Sequence, residues 1–313
     1  MSTAGSSSAA PRRIACVQLD SKHADVARNT DTVLSLVSEA IVQRKSTPIH
    51  LLVLPELALT GYVFKNREEI DPLLEDARTF ESPAPLDNVA TFTSACKASC
   101  LSAKQPSLTL AAHLAGKLHC HVVIGFPEVG SLPQNSEDAQ ASGITHPPFD
   151  ARPRPVQDET VIEQADRDYA FNSAALVAPD GSLKHVFRKH FLYETDEVWA
   201  SQGSGFQAIH LPLLGNVCVG ICMDLNPFQF QTPFESCELT SFCRNNNVDL
   251  LVMPMAWLLP KDEQEERAKL DANEQTPAPS LSTINYWAVG NRPLLLDSLG
   301  TTEQACLVVE LPA

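Results

Sequence analysis

The 313-residue chain is 44% hydrophobic and 19% charged, a globular composition with enough apolar material for a sizeable core. Its 38 acidic residues outnumber 23 basic ones, for a net charge of −15. That field repels phosphate backbones and anionic lipid, which sets aside nucleic acid and membrane surfaces as partners. No apolar run approaches membrane-spanning length.

Residues 1–11 are Ser/Ala-rich without the apolar stretch of a secretory signal, and read as a disordered terminus ahead of one domain over 12–313. A strand is predicted over 13–20, an amphipathic helix over 25–43 and a buried strand over 50–56. Helices follow over 85–105 and 107–119, then a strand over 120–128. The polar, Pro-rich stretch 131–168 lacks sustained periodicity and reads as an inserted loop. A strand pair over 169–190 turns on Pro179-Asp180-Gly181. Strands over 216–224 and 248–257 flank a helix over 236–247, and 261–279 is charged and exposed. Strands and helices alternate throughout, which points to a single α/β domain.

Nine cysteines, an odd and irregularly spaced set, fit free thiols in a reducing compartment better than a disulfide framework. The expected location is cytoplasmic, with nucleus or mitochondrion left open. Cys96, Cys100, His119, Cys120 and His121 match no zinc spacing, so the reading is small buried thiols and an edge histidine. No metal or cofactor is expected.

Three apolar runs each end in one reactive side chain: LLVLPE in Glu56, the hairpin strand before FRKHF in Lys189, and VCVGIC in Cys222. A carboxylate, an ammonium and a thiol at one point can hydrolyse an unactivated carbon–nitrogen bond without a metal. Each residue alone has a bland reading: a solvated acid, an exposed strand-end lysine, an inert buried cysteine. Period-2 alternation puts Cys218, Gly220 and Cys222 on one face. A sharp turn at Met223-Asp224 would lift the Cys222 thiol to the sheet edge, near backbone N–H groups that help deprotonate it.

Taken together, LPE at Glu56, FRK at Lys189 and GICMD at Cys222 resemble the nitrilase, or carbon–nitrogen hydrolase, superfamily. FNSAALVAPDGSL before FRK and GY (61–62) after the glutamate agree, and the likeness runs over about residues 12–260. It implies a four-layer αββα sandwich of two mixed sheets with the site at strand ends. It also implies roles. Glu56 takes the thiol proton, Cys222 attacks, and Lys189 with the Met223 N–H holds the oxyanion. A thioester remains for water to cleave. The family's second Glu stands eight residues after the lysine, here Glu197, as an auxiliary that orients substrate or water.

GICMDLNPFQFQTPFES, FLYETDEVW, MPMAWL and TINYW further resemble the superfamily's protein N-terminal asparagine/glutamine amidohydrolase branch. That branch deamidates amino-terminal Asn or Gln of proteins and peptides to the acid, releasing ammonia and feeding the N-degron pathway. Its components are then candidate partners. Asp224 is the nearest acceptor for the substrate's α-ammonium group, and a turn cap is the competing reading. Tyr62, Phe228 and Trp257 are candidate pocket walls, or else core aromatics.

After TINYW the chain departs from the family pattern, running AVGNRPLLLDSLGTTEQACLVVELPA. The ending reads as truncated or divergent, with a central strand at stake. Two alternatives therefore stand beside the N-terminal amidase. One is a small-molecule ω-amidase, carbamoylase or nitrilase on the same scaffold, and the other an inactive scaffold.

Overall fold

A computed structural model describes residues 12–43, 48–86, 91–131, 168–256, 283–289, 292–299 and 303–311. The core sheet explains the apolar runs. Strands β1 (Arg12–Gln18), β2 (Leu51–Val53) and β3 (His121–Gly130) lie parallel. Beyond β3 come β4 (Tyr169–Val177) and β5 (Leu183–Arg188), both antiparallel to their neighbours. The far edge is β11 (Ala305–Leu311), antiparallel to β1 along its length, from Arg12↔Leu311 to Gln18↔Ala305.

Alternation along these strands feeds two different cores. Ala15 and Val17, Leu52, Val122 and Ile124, and Ala175 and Val177 face an outer cluster. It is completed by α1 (Val26–Gln43), α3 (Phe92–Ser102) and α4 (Pro106–Leu118). Ile14, Leu51, Val53, Val123, Ala174 and Leu176 face the opposite way. There they meet Leu211, Val217, Val219 and Val252 of a second mixed sheet. Its strands are β6 (Ala208–Leu211), β7 (Gly215–Val219) and β8 (Leu250–Val252). On its outer side Cys218 packs with Leu239 and Phe242 of α6 (Glu238–Asn245). A strand buried on both faces reads as a continuous apolar run. Each fully buried Leu or Val contributes about 1.5–3 kcal/mol. The result is the four-layer sandwich the resemblance implied.

Several elements end where the sequence did not place them. The helix predicted from 85 begins at Phe92, and the strand predicted to 224 stops at Val219. The strand predicted over 248–257 narrows to Leu250–Val252. The Pro179-Asp180-Gly181 turn forms, with Gly181 at φ 83°. Most of the predicted inserted loop, residues 1–11 and the 261–279 stretch lie outside the described residues. TINYW and the two residues after it form β9 (Thr283–Val289), which pairs antiparallel with β10 (Arg292–Leu299) ahead of β11.

Cys96 and Cys100 are buried in α3, while His119 caps α4 in a left-handed conformation just before β3. Among the described residues no cluster of His, Cys, Asp or Glu is placed to hold a metal ion. Among them, too, no helix is long and apolar enough to cross a membrane.

Candidate active site

Glu56 follows β2 across Leu54 and Pro55, in a turn laid against β3. Gly125 makes that approach feasible, because a Cβ there would stand 2.5 Å from Glu56 Cα. The Gly125 N–H donates to the Pro55 carbonyl at 3.1 Å, and its carbonyl accepts from Ala58 N–H at 3.0 Å. Leu57, next in line, sits at φ 46°. Such a left-handed residue costs on the order of 1–3 kcal/mol and persists only where its surroundings fix it.

Lys189 comes directly after β5, and its own N–H donates to the Asn172 carbonyl of β4 at 2.8 Å. Its side chain is fully buried rather than an exposed strand end. Cys222 lies three residues past the end of β7. Gly220 N–H donates to Val252 carbonyl and Cys222 N–H to Pro254 carbonyl, each at 3.0 Å. Cys222 then takes φ 46°, opening a 3₁₀ turn over Cys222–Leu225. This corrects the expectation that Cys218 and Cys222 share a face. Cys218 packs toward α6, whereas Cys222 turns into the space between the sheets.

The three side chains meet. Lys189 Nζ donates to Glu56 Oε1 at 2.7 Å and to Asp196 Oδ2 at 2.6 Å. Its third N–H has only a 3.5 Å contact with the Tyr62 hydroxyl, too long for a good hydrogen bond. Glu56 Oε2 accepts from the Ala256 N–H at 2.9 Å. The Cys222 thiol hydrogen-bonds toward Glu56 and feels the charge of Lys189. Met223, second in the 3₁₀ turn, carries an N–H that finds no acceptor inside its own helix.

Electrostatics follow from burial. Desolvation pushes the Glu56 carboxyl above its ordinary range, Lys189 pulls it back, and Asp196 pushes it up again. For Lys189, burial would lower the ammonium. The two carboxylates outweigh that and hold it well above its usual value. Burial, reinforced by the Glu56 charge, drives the Cys222 thiol upward. The Lys189 charge and the Ala256 N–H pull it back down, as expected of nearby N–H groups, without offsetting that rise, so attack calls for a base. Glu56 is the group in place to act.

The remaining sequence candidates divide. Glu197 is exposed, on the one-turn helix α5 (Glu194–Glu197) that follows α2 (Arg67–Ile70) and the long helices. The buried carboxylate there is its neighbour Asp196, which also accepts from Tyr193 N–H at 2.9 Å. Asp224 is no free acceptor for an ammonium group. Its Oδ1 accepts from His190 N–H (3.1 Å) and Phe191 N–H (2.7 Å), and its Oδ2 from Ile221 N–H (2.8 Å). It ties the Cys222 turn to the Lys189 loop, which is the capping reading. Burial raises its carboxyl to about 7.

Tyr62 is buried, its hydroxyl donating to Asp196 Oδ2 at 3.2 Å and its ring centroid 5.3 Å from Lys189 Nζ. It supports the lysine more than it walls a pocket. Half-buried Phe228 packs tilted against Phe191, ring centroids 5.3 Å apart, among the aromatics beside α6. Trp257 lies outside the described residues. Sequence reasoning missed Asp196, Asn172 and the Ala256 N–H. All three sat inside quoted motifs: ETDE, FNSA and MPMAW.

A family model described as carbon-nitrogen hydrolase matches residues 13–226. The protein N-terminal amidase of Schizosaccharomyces pombe is 30% identical over 295 residues, covering 90% of this chain and 80% of that protein. That of Saccharomyces cerevisiae is 25% identical, covering 79% of this chain and 45% of its own length. A solved N-terminal amidase with a Gln-Gly peptide superposes at TM-score 0.56 and 23% identity, over 84% of this chain and 52% of its own. A solved N-terminal amidase with an Asn-Glu peptide gives TM-score 0.55 at 24% identity. At such identity the structural likeness speaks for the fold. The chain spans about half the length of these solved structures and of the budding-yeast relative.

Proposed function

The chain belongs to the carbon–nitrogen hydrolase family, hydrolases of carbon–nitrogen bonds other than peptide bonds, and on that premise we propose that it deamidates amino-terminal Asn or Gln of proteins and peptides. The observation that carries this reading is the convergence of Glu56, Lys189 and Cys222 in one buried cluster. The N-terminal amidase relatives, and the likeness to structures holding Gln- and Asn-initiated peptides, support that substrate class.

Glu56 removes the Cys222 proton as the sulfur attacks the side-chain carboxamide carbon. The oxyanion forms beside the third N–H of Lys189 and the Met223 N–H. Glu56 then gives its proton to the departing ammonia, leaving a thioester. Water, deprotonated by Glu56, cleaves the thioester to the acid and restores the thiol. Proton transfer of this kind contributes about 10²–10⁴-fold, and one oxyanion donor about 10²–10³-fold.

Charge favours an amino terminus as substrate. Two buried carboxylates face one ammonium, and the whole chain carries −15. A substrate bearing an α-ammonium group is drawn to that excess, while an α-carboxylate is repelled. The product exposes Asp or Glu, which the N-degron pathway reads as destabilising, and the setting for that is cytoplasmic.

Ammonia release from an Asn-initiated peptide, its N-acetyl form and free asparagine tests the proposal. Fast turnover of the free-amine peptide alone is expected. Efficient hydrolysis of the acetylated peptide or of free asparagine would turn the reading toward a small-molecule amidase.

A further inference from the structure

Asn172, on β4, is 1% exposed and makes two side-chain hydrogen bonds, both from Nδ2. We infer that Asn172 is a positioning residue, whose single amide nitrogen holds the Glu56 and Asp196 carboxylates apart and fixes Glu56 for proton transfer. The inference rests on the reading of Glu56 as the base.

The geometry is specific. Nδ2 donates to Glu56 Oε1 at 2.8 Å and to Asp196 Oδ1 at 2.9 Å. The backbone carbonyl of the same residue accepts the Lys189 N–H at 2.8 Å. One strand position therefore references the base, the lysine and the second carboxylate to each other. β4 is paired with β3 through Pro127 opposite Asn172 and with β5 as far as Ser173, which anchors the reference.

The residue type matters. A hydroxyl carries one proton and could serve only one carboxylate. An added acid would place a third negative group there, and an added cation would neutralise the base. Only an amide supplies two neutral donors from one atom. The amide's oxygen has no partner among the described residues. Turning it over would set that oxygen against two carboxylates, so the two acids dictate its orientation. An asparagine kept only for packing would have no reason to leave a buried acceptor unmatched.

The groups facing Glu56 are Lys189 from the end of β5, Asp196 from α5, Tyr62 from the loop after β2, and Cys222 from the nucleophile turn. Losing the Asn172 donor removes stabilisation from ionised Glu56 and leaves two carboxylates less shielded from each other. Glu56 then holds its proton to higher pH.

The test is alkylation of Cys222 by iodoacetamide as a function of pH, followed by peptide mapping, which needs no substrate. The midpoint is expected to move upward by about one pH unit in Asn172→Ala, since a hydrogen bond to a charged group is worth about that much. Asn172→Leu, of similar shape but without donor or charge, moves it the same way and decides the matter should Asn172→Ala fold poorly. A packing role alone would lower Tm and leave the midpoint in place. A midpoint that vanishes in Glu56→Gln yet stays at its wild-type pH in both Asn172 variants overturns the role of Asn172 alone. A midpoint that survives Glu56→Gln overturns both readings, because no base would then be held.

Discussion

Asp196 Oδ2 stands 2.6 Å from Lys189 Nζ, as short a contact as the lysine makes with Glu56 at 2.7 Å. One ammonium thus serves two buried carboxylates. The division keeps Lys189 charged in a site where burial alone would neutralise it. It also spares Glu56 the full pull of the lysine, leaving it able to accept and return a proton. Asp196, rather than the exposed Glu197, is the acid in contact with the lysine.

Asp196→Asn is expected to lower kcat/KM on the order of 10²-fold, the scale seen when a catalytic group loses its proton-transfer geometry. Glu197→Gln, at an exposed position, should stay within about twofold, as surface changes usually do. Steady-state ammonia release for the pair checks this. A severe loss in Glu197→Gln with a normal Asp196→Asn would restore the original assignment.

The sequence made the fold and the three reactive residues legible because each lies at the end of an apolar run with its own short motif. Neighbours in space but not in sequence were harder. In ETDE, adjacent residues of a helical turn point about 100° apart, and spacing alone does not tell which acid faces the core. Asp224 looked like a free carboxylate because two of its partners, His190 and Phe191, lie more than thirty positions earlier. The Cys222 face was misread because alternation was extended past Val219, where the strand has already ended.

Asp224 supplies a second expectation. Asp224→Ala strands three buried backbone N–H groups, each costing about 1–3 kcal/mol when unpaired. Tm should fall sharply, and kcat with it, as the Cys222 turn and the Lys189 loop loosen together. Asp224→Asn keeps the acceptor for His190 and Phe191 and should be milder. In both, kcat should suffer more than KM. A selective rise in KM for free-amine peptides would instead mark Asp224 as the ammonium site.

Glu75 gives a pH dependence with a definite sign. Its buried carboxylate caps α4, accepting from Ser107 N–H at 2.9 Å and Leu108 N–H at 3.2 Å. Burial raises it from 4.5 to about 7. Because the folded state then binds the proton more tightly than the unfolded chain, stability is highest below about 4.5 and declines as pH rises to about 7. The decline attributable to this one group is about 3 kcal/mol. Glu75→Gln should flatten that part of the curve, raising Tm at pH 8 relative to wild type by a few degrees, on the order expected for such a change. Thermal melts between pH 5 and 8 would show it, and an unaltered slope would remove Glu75 as the cause.

The proposed thioester on Cys222 is the intermediate on which the proposed mechanism depends, and mass spectrometry after rapid acid quench with an Asn-initiated peptide reads it directly. The expected result is an adduct on the Cys222 tryptic peptide equal to the substrate less ammonia, absent with the N-acetyl peptide and absent in Cys222→Ala, which should also release no ammonia. Ammonia release at a near wild-type rate from Cys222→Ala, or an adduct confined to another cysteine, would contradict it.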